Sequence, residues 1–350
     1  MGKTWKLLGA LLLSASLLLT AGCSGGGPKG PDKDGVYKIK FGSTGNAQHQ
    51  YTVYGAYFKK KVEELTKGKV KVEIYPNNAL GNEREMAESV LMGTIEMCCV
   101  TSDGTLPSWV PETQILSIPY LFANKKEAYY VLDHTLQDYI EPKFEAKGAK
   151  HLAFAELGFR HFTNNKRPIK KASDMEGMKI RVQEAPIWFT LMDELHATAT
   201  PVPFAELYTA LQQGMVDGQE NPVASIASSK FNEVQKYMSL DGHTYAAGSA
   251  IINKQFYDAL PPEYRKAVDE AALYARDAQR ADINGKEAKM LADMKAAGLQ
   301  VDEVDIESFK KATANLYKEP AVAKLVKPEL VELVKKTIKE MPKDAKGASK

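Results

Sequence analysis

Cysteine is scarce in this chain: Cys23, Cys98 and Cys99 are all there is. Cys98 and Cys99 are adjacent, and adjacent residues on a strand point to opposite faces, so they do not bridge to each other. The pair reads as buried filler, in a fold that owes nothing to disulfides. Charge of one sign is also lacking. The net charge of +2 gives no case for nucleic acid as a partner. Beyond the first twenty residues no run is long and apolar enough to span a bilayer. Catalytic signatures are missing as well. There is no Gly-x-Ser-x-Gly elbow, no His-Glu-x-x-His and no phosphate loop ending Gly-Lys-Ser/Thr. The six histidines, at 49, 134, 151, 161, 196 and 243, never pair at ligand spacing, so neither a transition metal nor any other cofactor is expected.

What is there begins with a targeting segment. Lys3 and Lys6 precede an uncharged apolar stretch, Leu7 to Leu19, too short for a comfortable membrane span. It ends Thr20-Ala21-Gly22-Cys23, which resembles a bacterial lipoprotein cleavage site. Residues 1–22 are therefore expected to be a signal peptide and Cys23 the lipidated residue, anchoring the protein to a membrane outside the cytoplasm. Thr20 stands where an aliphatic residue is more usual. Residues 23–35, rich in Gly, Pro and Ser, read as a flexible tether. The remaining length is enough for two domains. A content of 44% hydrophobic and 26% charged residues is that of a globular protein.

The first half reads as alternating strands and helices. Tyr37, Ile39 and Phe41 alternate with Lys38 and Lys40, predicting a strand over 36–42. Gly42 to Asn46 reads as a turn. Tyr54, Phe58, Val62 and Leu65 recur at helical spacing, closed by Gly68. Val70, Val72 and Ile74 give a second strand. Asn82 caps a helix from Glu83 to Met92, and residues 95–100 form a third, buried strand. That alternation predicts parallel crossovers in an α/β fold, with ligands at the carboxyl ends of the strands, near 42–50, 75–83 and 101–105. Glu83, Glu85 and Glu88 are read as a solvated helix face.

An apolar turn is expected at 115–122, a helix over about 125–138, and a strand over 151–155 that leads to Gly158. Ile180 and Val182 share one strand face, with Lys179 and Arg181 on the other. Pro186 opens a helix carrying Trp188, Leu191, Met192 and Leu195. Pro203 opens another, with Phe204, Leu207, Leu211 and Met215 aligned, and residues 215–218 read as a short strand and turn. A strand over 244–252 returns to the first domain. A helix from Pro261-Pro262 to about Ala297 would be about 50 Å long, more than one small domain needs. Residues 321–350 read as a helical tail.

Three polar groups have no evident core role: Arg160, Arg181 and Asn221. Two fixed cations and an amide at element ends suggest a pocket for a small carboxylate. The planar guanidinium gives a carboxylate two parallel charge-assisted bonds and does not lose its proton. Each also has a plainer explanation. Arg181 is a solvated charge on an edge strand, Arg160 a structural ion pair between Phe159 and Phe162, and Asn221 a turn residue before Pro222. Phe204 is either core or a ligand cover.

Several blocks of sequence together resemble one family. They are Ile74-Tyr-Pro-Asn with Leu80-Gly-Asn-Glu-Arg84, Ile118-Pro-Tyr-Leu-Phe122, Gly158-Phe-Arg160, and Pro168-Ile169 with Asp174 to Val182. Pro203 to Gln212 and Val216 to Pro222 complete the set. From Tyr37 to about residue 320 the chain resembles the DctP-like substrate-binding proteins of tripartite ATP-independent periplasmic (TRAP) transporters. The resemblance implies an α/β, two-domain periplasmic-binding-protein-like fold with a cleft, crossing hinge strands and one long helix spanning both domains. It places residues 36–157 with about 246–285 in domain I, and 158–245 with about 286–320 in domain II.

It also implies roles. Arg181 would form the main salt bridge to the ligand carboxylate, supported by Arg160 and Asn221, with Phe204 covering the ligand. Glu83 falls near a loop that contacts hydroxylated ligands in some members. An acidic residue in sialic-acid-binding relatives stands where Thr101 does here, which argues against sialic acid. His49, Thr44, Asp103 and Trp188 are further candidates. The implied function is that of a monomeric, lipid-anchored receptor. It would capture an organic acid, a C4-dicarboxylate or a sugar acid, and deliver it to the small and large TRAP membrane subunits. An ion gradient rather than ATP would drive transport. The alternatives are a receptor for another importer type, a ligand-sensing lipoprotein, or a secreted enzyme using the same cleft.

Overall fold

The computed structural model describes residues 30–342, so the expected signal peptide, Cys23 and the last residues of the tail lie outside the described residues. Among the described residues, ten strands form one continuous sheet. In chain order they are β1 (Tyr37–Ser43), β2 (Val70–Tyr75), β3 (Met97–Thr101), β4 (Ala149–Asn164) and β5 (Lys179–Val182). Then come β6 (Thr198–Pro201), β7 (Gly218–Pro222), β8 (Tyr237–Ser239), β9 (Tyr245–Asn253) and β10 (Gln300–Asp302). The main order is β2-β1-β3-β9-β4-β7-β5-β6, with β8 on β4 and β10 on β8.

β1 lies parallel to β2 and β3, as the alternation of elements predicts. The helices between them are α1 (Gln50–Leu65) and α2 (Glu83–Met92). α1 ends one turn before Gly68, at Thr66, and Gly68 then donates back to the Glu63 carbonyl at 2.8 Å. Asn82 closes α2 with a full capping box: its side chain accepts from Glu85 N, and the Glu85 carboxylate accepts from Asn82 N. Glu85 is therefore a capping residue on the exposed face of α2.

β4 is much longer than the sequence suggests. Its first part, to Phe159, pairs antiparallel with β9, which in turn pairs with β3. From Arg160 onward it pairs with β7, and from Phe162 with β8. One strand thus belongs to the pairing of both lobes. Gly158 sits at the change of partner with φ +118°, beside a register shift, a backbone state that side-chain-bearing residues rarely adopt. Thr163 and Asn164 are the last two residues of β4. β5 runs between β7 and β6, parallel to both, so it is not an edge.

The helical stretch expected at 125–138 continues to Glu145. It runs as α3 (Lys125–Val131), a π-helical turn at Leu132–Leu136, and α4 (Gln137–Glu145). Within the expected turn at 115–122, residues 115–117 end a 3-10 helix over Pro111–Ser117 and the turn itself falls at 119–120. α5 (Pro186–Glu194) forms where expected. The helix at Pro203 is shorter than expected: a 3-10 turn, Phe204–Glu206, leads into α6 (Leu207–Gln212), so Met215 lies beyond it and is exposed. Two six-residue helices follow, α7 (Val223–Ser228) and α8 (Lys254–Ala259).

The long helix is α9, Pro262–Ala296. Its first half buries Val268, Ala271, Ala272 and Ala275 in the core formed by β1, β2 and α1, including Ile39, Phe41, Phe58 and Val72. Small alanines let α1 approach closely. Midway, buried Gln279 clamps the crossing strand: Oε1 accepts from Glu156 N at 2.8 Å, and Nε2 donates to the Glu156 carbonyl at 2.9 Å. Near the far end, Met294 joins a different core with Leu207, Leu211, Phe231 and Met238. The helix therefore braces both lobes. The chain closes with α10 (Ile306–Ala312), α11 (Pro320–Ala323) and α12 (Pro328–Glu340). The apolar face of α12, Leu330, Val331 and Val334, packs into the cluster that holds Val131, Leu132 and Leu136. Cys98 and Cys99 are free and buried on β3.

Candidate functional site

A cavity of about 700 Å³, part of it open to solvent, lies where the carboxyl ends of β1 and β3 face β4, β5 and β7. Eight of the nine expected binding residues line it: Thr44, His49, Glu83, Thr101, Arg160, Arg181, Phe204 and Asn221. The exception is Trp188. It is fully buried under the wall, with its ring 5.4 Å from the Arg160 guanidinium. Trp188 is thus a support for Arg160 and not a wall residue. Asp103, the weaker candidate, is also buried behind the wall. Its Oδ2 accepts from Ser117 at 2.7 Å, and burial raises its carboxyl to about 6.

Arg181 is the distinctive group. It is 3% exposed, on an inner strand, so its positive charge is not a solvated edge charge. Nε donates to the Val202 carbonyl at 2.8 Å, which fixes the plane of the guanidinium. Among the described residues no carboxylate forms a salt bridge with it. Burial pulls it down to about 10, eased by Glu220 and reinforced by Arg160. At neutral pH it is a buried cation at a cavity wall, without a counter-charge in contact. That is an expensive state unless an anion completes it.

Arg160 lies on the neighbouring part of the wall and is already satisfied. Nε pairs with Glu220 Oε2. Nη2 donates to Glu220 Oε1 at 2.9 Å, to the Glu220 carbonyl at 2.6 Å and to Asn221 Oδ1 at 3.2 Å. The ion-pair reading of Arg160 is therefore right in geometry, though the residue also borders the cavity. Asn221 sits within β7, not in a turn, and its amide also bonds Gln219. Glu220 was not singled out from sequence. Its signal was a charge inside a wholly buried strand, which requires a partner.

Behind this pair is His243. Nδ1 donates to Asp241 Oδ2 at 2.6 Å, and Nε2 lies 3.4 Å from Glu220 Oε2. The second contact is ionic rather than a well-aligned hydrogen bond. Burial alone would lower the imidazolium, but Asp241 and Glu220 outweigh it and raise it to about 9.

The opposite wall is a self-satisfied polar cluster. Glu83 begins α2, where the helix N-terminus favours an anion. Its Oε2 accepts from Thr101 N at 3.0 Å and Thr105 Oγ1 at 2.7 Å, and its Oε1 accepts from Thr44 Oγ1 at 3.3 Å. Glu83 is therefore a wall group, not a solvated one. Glu88, by contrast, pairs with Arg84 on the helix surface at 3.4 Å. Thr101 Oγ1 also bonds Tyr51 OH at 2.8 Å.

His49 caps α1, its Nδ1 accepting from Tyr51 N at 3.3 Å, and burial lowers it to about 4, so it is neutral. Its ring meets Phe204 edge-on at 5.5 Å, and Phe204 meets Phe231 at 5.7 Å. Phe204 is half-buried, bridging cavity and core. Tyr51, Thr105, Gln183 and Ser225 also line the cavity, and the sequence reading missed them. They lie beside predicted residues, but nothing in their own spacing marks them.

Comparison with known proteins follows the same geometry. A family model described as "DctP: Bacterial extracellular solute-binding protein, family 7" matches residues 41–323. A "Solute-binding protein" from Verminephrobacter eiseniae is 41% identical over 273 residues, covering 78% of this chain and 81% of that protein. The "2,3-diketo-L-gulonate-binding periplasmic protein YiaO" from Escherichia coli is 33% identical over 278 residues, covering 79% of this chain and 84% of its own. Among solved structures, a TRAP periplasmic solute-binding protein from Polaromonas, bound to D-erythronate, superposes with a TM-score of 0.82. It is 40% identical and covers 85% of this chain and 98% of its own. With most of its length matched in sequence and in fold, the chain belongs to the DctP family of bacterial extracellular solute-binding proteins, family 7.

Proposed function

We propose that this protein captures an organic acid in the cavity between its lobes and delivers it to the small and large membrane subunits of a TRAP transporter. The observation that carries the reading is the Arg181 guanidinium: buried, cationic, held by one backbone carbonyl and facing the cavity without a carboxylate partner. A ligand carboxylate supplies the missing charge in a geometry the planar fork suits. Arg160 and Asn221 flank it, and Phe204 covers the ligand chain.

Glu83 favours a sugar acid over a C4-dicarboxylate. A second ligand carboxylate reaching that wall would meet an anion, whereas a hydroxyl would donate to it. Relatives are named for diketogulonate and D-erythronate, and others for C4-dicarboxylates and succinate, so the preference rests on Glu83. Release and capture proceed by movement of the lobes about the crossing strands, with 36–157 and about 246–285 as one lobe and 158–245 and about 286–320 as the other. Cys23 tethers the receptor to the membrane. The protein performs no chemistry on its ligand.

Calorimetric titration with D-erythronate, galactonate and succinate tests the reading. Arg181→Ala is expected to abolish binding of every acid the wild type accepts, with the fold intact. Undiminished binding by that variant sinks the proposal. Turnover of a bound acid by the pure protein would revive the enzyme alternative.

A further inference from the structure

Gln183, two residues beyond Arg181, also lines the cavity. It is 6% exposed, and its amide Nε2 has no hydrogen-bond partner. A buried donor left unpaired is costly, so the site favours an occupant that brings an acceptor. The other end of the amide is accounted for. A Cβ added to Gly104 would lie 1.9 Å from Gln183 Oε1 and 2.5 Å from Cδ. The amide therefore passes directly over the Gly104 Cα with its oxygen facing the Cα hydrogens, a contact that suits an oxygen and not an N–H. This orients the amide and leaves the N–H₂ end as the unpaired one. In extended backbone, residues i and i+2 share a face and lie about 6–7 Å apart. Arg181 and Gln183 thus border the cavity side by side.

We propose that Gln183 is a specificity-determining residue. It donates to an oxygen on the carbon next to the ligand carboxylate, so the receptor prefers 2-hydroxy and 2-oxo acids to the same acids lacking that oxygen. The inference rests on the carboxylate reading above. With a carboxylate seated on the Arg181 fork, the C2 oxygen is the next ligand atom along the chain able to accept. A site with a buried donor aimed at a substrate oxygen rejects the analogue lacking it, because the donor is then left unpaired. Gly104 is the complementary requirement, since any side chain there would displace the amide.

The test pairs acids that differ only at C2: D-erythronate against 3,4-dihydroxybutanoate, and malate against succinate. Affinities are measured by calorimetry on the full chain. Wild type is expected to prefer the 2-hydroxy member of a pair by about tenfold or more. Gln183→Met, nearly the same shape without a donor, is expected to shrink that preference to about threefold or less by weakening the 2-hydroxy acid alone. A preference that survives in Gln183→Met, or an equal loss for both members, overturns the proposal. So does equal affinity within the pairs for wild type, a result that needs no variant to fold. A crystal structure of the complex with water in place of a ligand oxygen within about 3.2 Å of Nε2 overturns it too. Failure of all four acids to bind wild type, or their undiminished binding to Arg181→Ala, removes the carboxylate reading and this inference with it.

Discussion

Arg160 and Arg181 are the same residue type, both buried, both on inner strands of one wall, and they are in opposite situations. Arg160 spends its fork on Glu220 and Asn221 and rests on Trp188. Arg181 gives one bond to a backbone carbonyl and leaves the rest of its fork to the cavity. The difference teaches that burial of a cation does not itself mark a ligand anchor. What marks it is burial without a counter-charge. A satisfied pair holds the wall in shape; the unsatisfied group is where an anion gains most, because the protein has already borne its desolvation.

The sharpest way to break this contrast is at the satisfied member. Arg160→Met leaves the buried Glu220 carboxylate with only the His243 imidazolium, 3.4 Å away, as counter-charge, and is expected to cost about 3–5 kcal/mol of stability, read by chemical denaturation. A loss near zero would mean that Arg160 is as free as Arg181. Arg181→Ala is the mirror experiment. Affinity should fall by about 2–5 kcal/mol, a drop of about thirtyfold to several thousandfold, with the melting temperature nearly unchanged. A large fall in melting temperature instead would make Arg181 structural.

A third experiment uses pH. His243, held to about 9 by Asp241 and Glu220, has a folded value above its unfolded one of 6.5. Its contribution is therefore complete below about 6.5 and lost as pH rises through about 9, on the order of 3 kcal/mol in all. His243→Gln should flatten that part of the stability–pH curve; an unchanged slope would show that the pair behind Arg160 does not depend on it. The smallest expected effect is on the opposite wall. Asn82→Ala removes the cap of α2, where Glu83 is presented, and should cost about 1 kcal/mol of stability. No change would mean that the wall is held by the Thr101 and Thr105 bonds alone.

Legibility in the sequence followed the physics of each element. The strands at 37–43 and 70–75, the capped helix at 83–92 and the long helix at 262–296 were legible because one periodic face and a terminal cap define each locally. The length of β4 was not. Residues 151–158 are buried on both faces, so no alternation marks how far the strand runs, and its change of partner at Arg160 is a property of the sheet. The site residues that lie in recognisable sequence blocks were found. The helical pattern placed Trp188 on one face with Leu191, Met192 and Leu195, all buried, whereas the resemblance offered it as a binding candidate and it instead backs Arg160. Glu220 and Gln183 were missed because their importance lies in what does, or does not, stand opposite them.

By itself the sequence determined the alternation of strands and helices, the brace formed by the long helix, and the presence of two arginines and an amide with no evident core role. Those depend on neighbours a few residues apart, and local periodicity records them. Only the tertiary structure decided which arginine is neutralised, which amide end is unpaired and which polar groups share one cavity. Charge pairing and desolvation act across space between residues such as Arg160 and Glu220, sixty positions apart in the chain. No local pattern encodes that distance.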